Sequence, residues 1–534
     1  MKTVIHHAKV YVEKGHFEEA LLIEDGIIRM VGSNDDVLAA ASGAEMIDAQ
    51  GHTVVPGFID SHMHMYNVGL NLRSINLMGA SSIEECIQRS RDFLAKNHPA
   101  PGSVISGRGW NHDYFTDEHR MLNRHDLDKI STEHALVFAR ACGHVTVVNS
   151  KALEIAGITR DTPQVPGGEF ELDENGEPNG IFKELAASLV QKLIAQPEGR
   201  ELEDLLRAGM EHAAEWGITS IQSNDIKNDN YERIYGAYQS MVDKGTALVR
   251  TYHQCNFTTL AQYEDFLAHG YKTGYGCAMN KIGPLKLFID GSLGARTALM
   301  RQDYSDAPGT RGIEVMTQEQ LNALVQTADA HGMQVAVHAI GDRGIEMVLN
   351  AYDTVVHKGK NNLRHGIVHC QITDLPLLER FQKNDIIAYI QPIFLHYDLH
   401  IVEDRVGKEL ASTSYAFRTM EKLGIHTCFG TDSPVEDLCT MDNIHCAVNR
   451  QDLKGFPEGG FYPAEKIDVF DAVDEYTIGC AYTSFEEGIK GRLKPGYYAD
   501  LAILSDDIFT VPTETIRDIR VLTTMVGGKV TFQR

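Results

Sequence analysis

From Thr219 to Ser433, short apolar runs recur at intervals filled by helix-forming sequence, and this alternation limits the possible folds more than any other feature of the chain. TSIQSND, LVRTYHQC, PLKLFIDG, QVAVHAIGD, HGIVHC, IIAYIQP and HTCFGTDS have the length and apolar character of buried strands. The segments between them, such as TQEQLNALVQTADAHG, follow helical periodicity, and here a glycine closes the helix. Strands that alternate with helices form a parallel sheet with helices outside. With the apolar run VVPGFIDSHMHM upstream, the number of units approaches eight, so the expected fold class is α/β, a closed (β/α)8 TIM-like barrel.

The two ends have a different texture. Residues 1–55 read as short strands and turns, with an Asp25-Gly26 hairpin signal, and residues 490–534 repeat that pattern in ADLAILS and in VLTTMVGGKVTF, broken at Gly527-Gly528. The expectation is that these segments meet in one small β-sandwich, leaving 56–489 as the barrel domain. Residues from about 72 to 200 break the rhythm, being rich in His, Asp and Gly around RGWNHDYFTDEHR and turn-forming in QVPGGEFELDENGEPNG. They read as a polar insertion after the first barrel strand, placed to cover the barrel mouth.

Charge and cysteine usage narrow the function classes. A net charge of −25 opposes general affinity for nucleic acid or an anionic membrane surface, so a small-molecule substrate is expected. No apolar run is long enough to span a bilayer, and MKTVIHHAKVYVEKG lacks the apolar stretch of a secretory signal. Nine cysteines without a C-x-x-C pair indicate reduced thiols and a cytoplasmic protein, with a homo-oligomer left open.

The chemistry starts at VVPGFIDSHMHM, where His62 and His64 stand two apart at a strand end. Side chains at i and i+2 of a strand share a face, so both imidazoles can reach one cation. In PLKLFIDG the period-2 pattern places Lys286 with Phe288 and Asp290 opposite Leu285, Leu287 and Ile289, which turns the lysine toward the barrel interior. A buried lysine is costly unless it is paired, here with Asp290, or neutral.

PGFIDSHMH resembles the Pro-Gly-x-x-Asp-x-His-x-His signature of the amidohydrolase superfamily. LKLFIDGSLGART, VAVHAIGDRG, HGIVHC, YIQP, GTDSPVE, AVNR and GRLKPGYYADLAIL extend the likeness toward amidohydrolase family 3. What the resemblance implies is a metal site of His62, His64, Lys286, His338, His369 and Asp432. Lys286 would be carboxylated to a carbamate bridging two divalent ions, expected to be zinc, and Asp432 would be both ligand and catalytic base. The departure is mild: Val368 precedes His369 where an acidic residue is common.

The implied activity is metal-dependent hydrolysis of an amide-type C–N bond in an N-acyl or N-formyl amine. A heterocycle deaminase on the same fold is the nearest rival, but such enzymes often carry a glutamate three residues after the fifth-strand histidine, where this chain has Gly341. A barrel kept as a sensor without turnover is the third reading. For substrate contacts the sequence offers Trp110, His112 and His144 in the insertion, and Arg296 and Gln391 just beyond strand ends.

Overall fold

The computed structural model describes residues 2–140, 145–165, 167–194, 196–228, 230–357 and 359–534. Two compact units emerge, one from Met1–Asn67 with Leu206–Arg534 and one from Val68–Leu205.

At the centre of the first unit are eight parallel strands in chain order: Phe58–Met63, Ile218–Ser223, Arg250–Asn256, Asn280–Phe288, Val335–Ala339, Gly366–His369, Ile387–Ile390 and Thr427–Phe429. Helices such as Tyr231–Asp243, Gln318–Ala330 and Leu375–Asn384 separate successive strands. Their start signals are local. Thr317 and Gln320 form a reciprocal capping box at the second of these helices, and Asp374 caps the third, with a proline in its first turn.

The ring is drawn together where the first and last strands end. The Asp432 backbone N–H donates to the His62 carbonyl at 2.8 Å, and the His64 N–H donates to the Ser433 carbonyl at 2.7 Å. Gly430 permits this approach, because a β-carbon there would lie 2.7 Å from the His62 nitrogen. Asp60 adds a buried tie: its carboxylate accepts the Thr431 hydroxyl at 2.6 Å and the backbone N–H groups of Thr431 and His62. Burial raises the Asp60 carboxyl to about 7, against the opposing hydrogen bonds from Thr431 and His62.

The chain ends form two further sheets, one from the start of the chain alone and one from both ends. One has four strands, including Lys2–His6 and Glu45–Asp48; the other has six, in which Thr53–Pro56 pairs antiparallel with Leu501–Leu504. Ile5, Val10, Leu21 and Val54 from the start of the chain share an apolar core with Leu501, Ile503 and Met525 from its end.

The Val68–Leu205 unit has its own six-stranded mixed sheet. Strand Ala135–Arg140 alternates Leu136 and Phe138 toward one apolar core with Ala135 and Val137 toward another. The unit is thus built around two hydrophobic cores, whose short strands are hidden in the sequence by Gly- and Asp-rich turns. Among the described residues no helix is long and apolar enough to cross a membrane.

Candidate metal centre

Strand ends bring four histidines into a row. His64 and His62 have ring centroids 5.3 Å apart, His62 and His369 5.6 Å, and His369 and His338 4.4 Å. Asp432 faces the first two, its Oδ1 lying 3.1 Å from His64 Nε2 and 3.3 Å from His62 Nε2. Ligand atoms of His62, His64 and Asp432 lie within 4.8 Å of one another.

The neighbours of these rings decide which nitrogen carries the proton. Gln254 gives its amide N–H to the Ser61 carbonyl at 2.9 Å, so its oxygen is left to accept from His62 Nδ1 at 2.6 Å. Gln391 repeats the device, its Nε2 donating to the Tyr389 carbonyl and its oxygen accepting from His369 Nδ1 at 2.8 Å. His64 Nδ1 faces the Asn224 carbonyl at 3.3 Å, and His338 Nε2 the Gly291 carbonyl at 3.0 Å; a carbonyl can only accept. Each imidazole thus has one nitrogen committed to donation, and its neutral form keeps a lone pair on the other.

Those lone pairs create an electrostatic demand. The free Nε2 atoms of His62 and His64 both point at the Asp432 carboxylate, lone pair against lone pair, which a cation between them would relieve. Burial lowers His62 to about 4 and puts His369 well below the ordinary imidazole range, so protonation of these rings is disfavoured. Asp432 and His369 also adopt positive φ angles of 57° and 82°, conformations uncommon for non-glycine residues.

Lys286 completes the set from the fourth strand. It is fully buried, its Nζ has no hydrogen-bond partner, and it lies 3.8 Å from the centre of the Phe288 ring. Burial lowers the amine to about 7 despite the attraction of Asp432. Asp290 does not neutralise it: that carboxylate accepts backbone N–H groups of Leu299, Ile340 and Gly341. An orphaned, largely neutral amine beside imidazole lone pairs and a carboxylate fits a site for divalent metal.

The residues read as substrate contacts have the following surroundings. Trp110 is fully buried in an apolar core of the 68–205 unit, packed with Phe115 and Phe138. His112 accepts from Arg140 Nε at 3.4 Å, and His144 falls outside the described residues. The Arg296 guanidinium is committed to Asp306 through two contacts of 3.0 and 2.8 Å. Gln391 orients His369 and so is a partner of a candidate ligand, not a free substrate hook. Sequence reasoning missed Gln254, Asn224 and the Asp60–Thr431 tie; of these only Asp60 carried a signal, as the aspartate inside PGFIDSHMH.

The chain is similar to known proteins over nearly its whole length. Residues 45–532 match the model of the amidohydrolase family. YtcJ of Bacillus subtilis (strain 168) is 30% identical over 550 residues, with 100% of both chains covered. N-substituted formamide deformylase of Arthrobacter pascens is 24% identical over 549 residues, covering 97% of this chain and 95% of its own. The crystal structure of an uncharacterized metal-dependent hydrolase from Pyrococcus horikoshii OT3 superposes with a TM-score of 0.79 at 28% identity, covering 96% of this chain and 99% of that one.

Proposed function

The chain belongs to the amidohydrolase family and is a metal-dependent hydrolase, and from that premise we propose that it cleaves the C–N bond of an N-acyl or N-formyl amine. The observation that carries this reading is the buried, unpartnered Lys286 amine beside the Asp432 carboxylate and four imidazoles with one free lone pair each. His62, His64, Lys286, His338, His369 and Asp432 would hold two zinc ions. When bound, the metal supplies Lewis acidity, polarising a carbonyl and making water easier to deprotonate near neutral pH.

The chain's own residues supply the remaining chemistry. Lys286, with its amine lowered to about 7, is positioned to add carbon dioxide and lose a proton, giving a carbamate with two ligand oxygens. Gln254 and Gln391 keep the Nε2 lone pairs of His62 and His369 directed inward. Asp432 takes the proton of the attacking water and delivers it to the departing amine nitrogen. The deaminase alternative loses support at Gly341, where a side chain would start 2.1 Å from the Leu299 carbonyl oxygen, leaving no room for a glutamate shuttle.

Two coarser features fit the same proposal. Residues 1–55 and 490–534 would form one composite β-sandwich beside the 56–489 barrel, supported by their shared core. The eight described cysteines are all free, which fits a reducing cytoplasmic compartment.

The test is a panel of N-formyl and N-acyl amines, lactones and heterocycles, assayed on zinc-loaded and chelator-treated protein. Chelator-sensitive release of acid and amine is expected. Ammonia release from a heterocycle would overturn the assignment in favour of deamination, and metal-free protein with full activity would overturn the metal site.

A further inference from the structure

A second group of metal-ligating side chains lies outside the barrel, at the edge of the four-stranded sheet. His6 ends strand Lys2–His6, and Asp48 ends strand Glu45–Asp48, which pairs with it in parallel and is the sheet's edge strand. The register sets His6 opposite Asp48, so their side chains leave on the same face. The next residue would normally point to the other face. His7 instead takes φ 50°, with its backbone N–H held by the Asn34 side-chain oxygen at 2.8 Å, and its ring returns to the side of His6 and Asp48.

Three donor atoms converge as a result. His6 Nδ1 and His7 Nδ1 are 3.1 Å apart, His7 Nδ1 is 3.3 Å from Asp48 Oδ1, and all three ligand atoms lie within 4.8 Å of one another. The two rings meet edge to face, 4.5 Å between centroids. Asp48 Oδ1 is already engaged by the Gln50 N–H at 2.8 Å, a bond that leads in holding the carboxyl below its ordinary range. A proton on His7 Nδ1 can be directed at His6 or at Asp48, and whichever is left over faces it with an unanswered lone pair. A divalent ion answers all three donors together.

We propose that His6, His7 and Asp48 form a second metal site, independent of the barrel centre, for a divalent first-row transition ion of the zinc class. Two imidazoles and a carboxylate suit such ions, and three protein ligands leave room for water in the coordination sphere. The site clasps a four-residue edge strand to its neighbour and adds to the backbone bonds that the Ala49 and Gly51 N–H groups donate to the His6 and His7 carbonyls. Its role is structural: binding favours the paired state of the two strands over the separated one.

Tag-free whole protein crystallised with excess zinc should show an anomalous peak among His6, His7 and Asp48. Calorimetric titration should find one zinc equivalent fewer in His7→Ala than in the wild type. His6→Ala should lose the same equivalent while leaving the residue 7 backbone untouched, and zinc should raise the thermal midpoint of the wild type more than that of Asp48→Asn. No peak at these residues in excess zinc, or equal zinc stoichiometry in the wild type and both histidine variants, would overturn the site whatever the barrel binds.

Discussion

The two ends of the barrel bury charged and polar groups in opposite ways. At the end where the strands begin, Glu486 lies between Lys281 and Lys490, each ammonium 2.5 Å from a carboxylate oxygen, and Lys490 also reaches the Ser220 hydroxyl at 3.0 Å. Arg250 makes a two-pronged pair with Asp500 at 2.6 and 3.0 Å. Each of these charges is answered within the protein. At the other end Lys286 has no partner, and the imidazoles of His62 and His64 turn lone pairs toward a carboxylate. Burial of polar groups therefore does not distinguish scaffold from site; the distinguishing property is whether the groups are satisfied without anything from outside.

Substitutions at the two ends should separate turnover from stability. Asp432→Asn is expected to lower kcat by about 10²- to 10⁴-fold, with zinc content and thermal midpoint near those of the wild type, because a coordinating oxygen remains while the proton acceptor is lost. Undiminished kcat would remove Asp432 from its role. Glu486→Gln should do the reverse, costing about 3–5 kcal/mol in urea unfolding by leaving the buried Lys490 and the half-buried Lys281 ammonium groups short of a counter-charge, with zinc content unchanged. A stable Glu486→Gln protein would erase the contrast between the ends.

Smaller effects sharpen the same contrast. Gln391→Ala should weaken zinc binding by about 10- to 100-fold by freeing the His369 ring, as read by competition with a chelator, and Gln391→Glu should restore most of it by again accepting from Nδ1. The least conspicuous effect is a pH dependence at the paired end. Burial would raise the Glu486 carboxyl, but the charges of Lys490 and Lys281 hold it down to about 2 from an ordinary value near 4.5. A carboxyl with a depressed folded value contributes stability that is present above its ordinary value and disappears as pH falls toward the folded one. Unfolding free energy should therefore drop between about pH 4.5 and 2, with a shallower drop in Glu486→Gln.

Periodicity explains how far the sequence could be read. Strand–helix alternation marks the barrel because eight strands repeat one local problem, an apolar run ending at a mouth that tolerates polar residues. His62 and His64 stand out because two polar rings on one strand face have no packing rationale, and Lys286 because it interrupts an apolar alternation. Gln254 and Gln391 give no such signal: a glutamine in or after a strand looks alike whether it orients a histidine or faces water. Glu486 and Lys490, four residues apart, read as an ordinary surface pair on a helix, yet both are buried. In the 68–205 unit the strands are short and of mixed direction, so turns dominate its composition and conceal the two cores around Trp110 and Phe170.

The closure of the ring between Asp432 and the His62–His64 strand end also bears on how the protein is made. His64 and Asp432 are 368 residues apart along the chain, and the entropy of bringing them together is borne by the whole fold, since no local element holds both. A ribosome has to deliver nearly the entire barrel before the first and last donors coexist. Until then, His62 and His64 have no Asp432 carboxylate to face. A cation held between Asp432 and these two histidines would therefore be captured only after ring closure, so occupancy of the barrel site would count the chains that finished folding.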